Sequence, residues 1–211
     1  MLAISSSRPA RGFTLIEMMV VVAILGIVLA VGIPKMTNWV ATNKAASASE
    51  FYLEGFRLAR QEALGHNAAS RIVLTTNAST GQYDWQVDIC FPTAAVPCSD
   101  TSGTWSDTAT AASGDPEGTD GFKSVARPAV SLPPTSVVAP TLLPANSFSI
   151  YYTSLGWVDT GFAGRMSRIQ LDPGPGYTND LPSMAVVVTL AGMASKCYPN
   201  VDSSDARACP P

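Results

Sequence analysis

The chain has 211 residues, a net charge of −3 and only 14% charged residues, against about 25% in an ordinary soluble domain. Hydrophobic residues reach 46% and mean hydropathy is +0.18, and the excess sits between Met18 and Ile33, a run without one polar side chain. These values exclude a disordered acidic chain, a polytopic membrane protein and a collagen-like fibre, and a mildly acidic body is a poor general binder of nucleic acid. Arg8 and Arg11 are the only charges of the first twelve residues. A secretory signal would place a short apolar stretch before a small-residue cleavage site. Here no A-x-A site closes the run, and Phe13 to Ile33 is about long enough to cross a membrane as a helix. The two arginines set the N-terminus on the cytoplasmic side and the body beyond Pro34 on the other.

Glu17 interrupts the apolar run. A carboxylate deep in hydrocarbon costs about 2.5–3.5 kcal/mol or more, so an acid at this place marks a functional position unless it lies at the headgroups. The string Gly12-Phe13-Thr14-Leu15-Ile16-Glu17, after Arg11 and before an apolar helix, resembles the processing motif of type IV prepilins and the related pseudopilins. The resemblance implies that a membrane peptidase cuts after Gly12 and methylates the new amine of Phe13. The leader, residues 1–12, is removed and the apolar helix stays. Glu17 then lies four residues from a cationic amine, about 6 Å along a helix. In a dry bundle of helices it could pair with the Phe13 amine of a shifted neighbour and set register, the role the family assigns to this acid. Gly26 and Pro34 fall where type IV pilins have a helix-breaking pair, so a flexible segment is expected there; Pro34 lacks the donor for its turn.

From Lys35 to Leu64 the only glycine is Gly55 and there is no proline. Ala41, Ala45, Ala48, Tyr52, Phe56, Ala59 and Ala63 recur at spacings of three and four, which is one face of a helix. Asn43, Lys44, Glu50, Glu54, Arg57, Gln61 and Glu62 lie mainly off that face. Gly65 is the expected stop. A helix from Phe13 to Leu64 would be roughly 78 Å long, with the Ala/aromatic stripe of its second half packed on a sheet. Its end, with Ala59, Arg60, Glu62, Ala63 and Asn67, resembles the A-R-x-E-A-[ILV]-x-x-N stretch of GspH/FimT-type minor pilins and pseudopilins. Read without the resemblance, Arg60 and Glu62 are a solvated face and His66 is a lone histidine, which is no metal site.

After Asn67 the period changes to two. Strands are expected at Arg71–Thr75, in the stretch from Tyr83 to Ile89 after a turn at Gly81, at short edges around Val130 and Val137-Val138, and at Ser147–Tyr152, Ser167–Leu171, Met184–Leu190 and on to Cys197 after a turn at Gly192. Asp172 to Gly176 reads as a loop. Residues 92–121 read as a long, exposed, variable loop. Helix followed by hairpins means α+β with a mainly antiparallel sheet, the plan of the pilin fold. The divisions are 1–12 leader, 13–34 membrane or filament-core helix, 35–66 amphipathic half of the helix, and 67–211 β-rich periplasmic head.

By spacing, the four cysteines form two local pairs, Cys90 with Cys98 and Cys197 with Cys209, among the three connectivities that four cysteines allow. All lie beyond the span, where disulfides persist, and each bridge is worth about 2–3 kcal/mol. The spacings do not suit a metal, and no cofactor is expected. No nucleophile elbow, phosphate loop or metalloprotease motif occurs, so the chain reads as the substrate of an enzyme and not as one. Family members proposed to bind DNA carry a basic G-R-x-R motif at the last hairpin. This chain has Gly192-Met193-Ala194-Ser195-Lys196, which argues against DNA as a partner. The expected function is a minor pilin that assembles or primes a type IV pilus. A type II secretion pseudopilin and a DNA-uptake subunit are the alternatives. The implied partners are the prepilin peptidase/N-methyltransferase, other major and minor pilins or pseudopilins, an inner-membrane assembly platform, and the inner membrane itself before assembly.

Overall fold

The computed structural model describes residues 12–93, 96–100, 104–178 and 180–210, with backbone alone for residues 31, 33–35, 37 and 38. The leader up to Arg11 lies outside the described residues. The chain has two compact units, one ending at Val40 and one running from Ala41 onward. Helix α1, Leu15–His66, contributes to both.

In the first unit α1 begins two residues later than the sequence suggested. It is continuous through Gly26 and Pro34, and the Pro34 side chain lies outside the described ones. Every described side chain from Phe13 to Ala30 is exposed, the apolar ones included. Among the described residues no helix is long and apolar enough to cross a membrane. The expected span from Phe13 to Ile33 includes side chains at positions 31 and 33 that are outside the described set.

In the second unit the expected helical stripe is buried: Ala41, Ala45, Ala48, Tyr52, Phe56, Ala59 and Ala63 all belong to the main core. Small residues on this face let the helix approach the sheets closely. At Gly55 an added Cβ would lie 2.8 Å from Ile72 and 3.0 Å from the Trp85 ring, so glycine is what lets the helix and sheet approach closely at this point. The helix does not stop at Gly65. Asn67 takes a left-handed conformation at φ 47, and the N–H of Ala68 donates to the Ala63 carbonyl at 3.2 Å. This is a Schellman-type ending in which asparagine supplies the turn that glycine supplies more often.

The head has two four-stranded sheets where a single one was expected. Strands β1 (Ala69–Thr76), β2 (Tyr83–Cys90), β3 (Val125–Arg127) and β5 (Ser149–Tyr152) form the first, in the order β3-β2-β1-β5. Strands β4 (Val138–Leu143), β6 (Arg168–Pro173), β7 (Met184–Val188) and β8 (Ala194–Cys197) form the second, in the order β4-β6-β7-β8. All paired strands are antiparallel, and the fold is α+β. Gln82 joins the sheets. Its amide donates to the Val138 carbonyl at 2.7 Å and the Pro133 carbonyl at 2.8 Å, while its oxygen accepts from the Tyr52 hydroxyl at 3.1 Å. The Tyr52 oxygen accepts in turn from the Tyr83 N–H at 3.0 Å. Every polar atom of this buried relay has a partner, which is the condition for burying it without penalty.

Three further expectations change. Val130 is in a 3-10 turn, Ala129–Ser131, and exposed, not in an edge strand. Asp172 and Pro173 close β6 and do not begin a loop. The segment 92–121 is not simply exposed: Ser106, Ala112 and Asp115 are buried. Ser106 donates its N–H to the Ile89 carbonyl at 2.9 Å, and its hydroxyl accepts from the Ile89 N–H at 3.0 Å. The segment therefore folds back over the end of β2. Alternation of polar residues along β2 pointed to a solvated face, but Asp88 is buried on it, with its carboxylate accepting from Arg71 at 2.8 Å. The Arg71 guanidinium lies 4.4 Å from the Trp105 ring centre.

Candidate functional site

The first candidate is the start of α1. Gly12 and Phe13 precede the helix. Among the described residues nothing lies within 4 Å of a Cβ placed on Gly12, and Phe13 is 83% exposed. Thr14 caps the helix. The Glu17 carboxylate accepts from the Thr14 N–H at 2.8 Å and from its hydroxyl at 2.9 Å, and the Glu17 N–H donates to the Thr14 oxygen at 3.3 Å. This is a reciprocal capping box, which satisfies two of the helix donors that have no partner in the first turn. Sequence reasoning passed over Thr14, although the T-x-x-E spacing ahead of an apolar run carries that signal. The geometry thus holds the Glu17 carboxylate on the Thr14 N–H and hydroxyl, next in the chain to Phe13. Around it, Phe13, Ile16, Val20 and Val21 form an exposed apolar surface. A helix that is apolar on all sides needs lipid or other helices around it.

The second candidate is the end of α1, where the family-like residues gather. Ala59 and Ala63 are core. Arg60 donates from Nε to the Gly156 carbonyl at 3.1 Å, and its Cδ approaches Gly192. Arg60 thus ties the helix to the β5–β6 connection and to the β7–β8 hairpin. The hydroxyl of Tyr152, buried and without a hydrogen-bond partner among the described residues, has its ionisation pushed upward by burial, partly offset by the charge of Arg60. Glu62 lies 3.3 Å from His66 one turn later. Asn67 makes the left-handed ending described above. The signature stretch thus terminates the helix and docks it to two turns.

The last hairpin itself carries one cation, Lys196, and two arginines of α1, Arg57 and Arg60, lie beside it. Lys196 pairs with Glu50. Arg165 donates weakly to the Phe162 carbonyl at 3.4 Å, and Arg168 lies on β6. Cys90 is bonded to Cys98 at 2.02 Å and Cys197 to Cys209 at 2.08 Å. The first bridge closes the start of the segment over β2. The second returns the C-terminal tail to β8, where Tyr198 and Ala208 form a bridge. Among the described residues, no group of three His, Cys, Asp or Glu side chains could hold a metal ion.

Comparison with known proteins bears on the first candidate. The prokaryotic N-terminal methylation motif matches residues 7–33. Among solved structures, the crystal structure of the type IV minor pilin FimU of Pseudomonas aeruginosa matches at 12% identity. The alignment covers 72% of this chain and 87% of that one, with a TM-score of 0.38. At that score the likeness is too slight to bear on fold or function.

Proposed function

We infer that this type IV pilin-like chain is a minor pilin that assembles or primes a type IV pilus. The observation that carries the reading is the methylation motif at residues 7–33, leading into a helix with exposed apolar side chains on every face. In this reading residues 1–12 are a leader, cut after Gly12 by a prepilin peptidase that then methylates the Phe13 amine. The start of α1 only at Leu15 supports it, because a peptidase needs a non-helical bond. Residues 13–34 anchor the subunit in the inner membrane and later pack in the filament core. The amphipathic half of the helix, residues 35–66, packs on the head from Ala41 onward, and residues 67–211 form the head on the periplasmic side. The partners are other pilins and the inner-membrane assembly platform.

Glu17 is the register residue. Its carboxylate is held on Thr14 in the capping box, one residue from Phe13, and in this reading it pairs with the Phe13 amine of a neighbouring subunit. An apolar bundle penalises the acid unless that pair forms.

The test is mass spectrometry of sheared surface filaments beside the membrane fraction. A peptide starting at N-methyl Phe13 in the filaments is expected. The same peptide in the membrane alone would move the assignment to a type II secretion pseudopilin, and an intact Met1 start in both would overturn processing. Glu17→Ala should be cleaved like wild type yet enter filaments at a level reduced at least tenfold. Incorporation at the wild-type level would remove the register role.

A further inference from the structure

A trough of about 650 Å³ lies on the head, between the last exposed turns of α1 and the β7–β8 hairpin. Arg57, Arg60, Gln61 and Leu64 form one wall, and Gly192, Met193 and Ala194 form the other. Every one of these residues lies beyond Val40, so the site stands apart from the N-terminal reading.

Two features give the trough a chemistry. The first is a free sheet edge. Among the described residues β8 ends its sheet and pairs only with β7. The N–H of Val188 donates to the Ser167 carbonyl and that of Thr189 to the Met193 carbonyl. In an antiparallel ladder these directions alternate. Val187 and Ala185 therefore turn to Ser195 and Cys197 across the register, and the N–H and C=O of Ala194 and Lys196 point away from β7. The tail covers the next position, since the Tyr198 N–H donates to the Arg207 carbonyl at 2.8 Å, and it leaves the outward backbone groups of Ala194 and Lys196 without a backbone partner among the described residues. An unpaired edge is a template for another strand.

The second feature is charge. The acids of this stretch of α1 are engaged: Glu50 with Lys196, Glu54 with Arg127 and Glu62 with His66. Arg57 is exposed and has no acid partner among the described residues, and Arg60 meets only a neutral carbonyl there. Two guanidiniums thus line one trough on a chain of net charge −3, with Glu50 and Glu54 on the other side of Arg57 and each already paired with a different cation. Met193 and Leu190 stand exposed at the hairpin tip. Arginine and methionine beside a free edge match the composition of protein-binding surfaces.

We propose that the open edge of β8 and the Arg57–Arg60 flank of α1 form a docking site for an extended acidic segment of another protein, added as a fifth strand to the β4-β6-β7-β8 sheet. Main-chain bonds to Ala194 and Lys196 hold the segment, and carboxylates on its helix-facing side reach Arg57 and Arg60. This is recognition by strand addition, with affinity from the backbone and choice from alternate side chains. The α1 wall from Arg57 to Gly65 spans about 12 Å, which an extended segment covers in about four residues.

The test uses the full chain in detergent micelles and two fluorescent hexapeptides, one alternating Glu and Val, the other Lys and Val. The acidic peptide should bind saturably and the basic one should not. Binding should slow amide hydrogen exchange at Ala194 and Lys196 but leave Ser195, already bonded to β7, unchanged. Arg57→Glu, an exposed change that leaves the core intact, should weaken binding at least tenfold. Ala194→Pro, which removes one outward donor from an edge where proline is tolerated, should weaken it comparably. Equal binding of both peptides, no binding of either, or an unchanged affinity in Arg57→Glu would overturn the proposal. Protection of the two amides on raising the protein concentration without peptide would also overturn it and assign the edge to a second copy of this chain.

Discussion

Asn67 shows how one residue ends a long helix. Its φ of 47 is open to asparagine because a short polar side chain tolerates the left-handed region better than others do. Asn67→Ala should lower the stability of the full chain in micelles by about 1 kcal/mol, and Asn67→Gly should leave it near wild type. Thermal unfolding followed by circular dichroism separates the two; equal loss in both would mean that the side chain, not the backbone, is what matters. Asp205 offers a second test at this scale. Hydrogen bonds from the Arg207 guanidinium and the Arg207 N–H hold its carboxyl down at about 2, from an ordinary 3.8. A lowered carboxyl stabilises the tail above its ordinary value, and that contribution disappears as pH falls from 3.8 toward 2. An NMR titration of the Asp205 side chain should give a midpoint near 2, returning toward 3.8 in Arg207→Ala.

At the scale of elements, the fit of α1 to the first sheet rests on Gly55. In an exposed helix Gly→Ala gains about 1 kcal/mol. Here the new methyl would meet Ile72 and the rigid ring of Trp85, whose indole N–H is held by the Phe51 carbonyl at 3.0 Å. Overpacking costs about 1–3 kcal/mol, so Gly55→Ala should destabilise on balance, by up to about 2 kcal/mol. A stabilised variant would show that the helix can move off the sheet freely. The helix face was legible because spacings of three and four in small and aromatic residues have no other economical reading, and all seven stripe residues are core. Its end was less legible: Gly65 has the composition of a stop, but Asn67 has the geometry. The difference arises because the Schellman bond from Ala68 to Ala63 depends on where the chain must turn to start β1.

At the scale of the whole molecule, the second bridge, Cys197–Cys209, ties the C-terminus to the edge strand β8. It closes a loop of about 12 residues, so the double variant Cys197→Ser, Cys209→Ser should lose about 3 kcal/mol. Its unfolding midpoint should fall, and amide exchange at Tyr198 should speed up as the bridge to Ala208 opens. A midpoint equal to wild type would show that the tail is held by its hydrogen bonds alone.

The sequence by itself determined the local features: the processing-like string around Gly12, Phe13 and Glu17, the buried face of the helix, and the turns at Gly81 and Gly192. Each depends on neighbours within a few residues, so spacing and residue type suffice. Only the tertiary structure decided how the strands divide. Nothing in the pattern of short strands tells one sheet from two, because either arrangement buries the same alternating side chains. The partition follows from which edges meet across the core, with Gln82 joining the two layers. The same holds for residues 92–121, whose polar composition suggested exposure. Ser106, Ala112 and Asp115 are buried there because the segment returns to the end of β2, where Ala112 packs on Ala68 and Ile89 and Ser106 bonds the Ile89 backbone, a surface that exists only once β1 and β2 have paired.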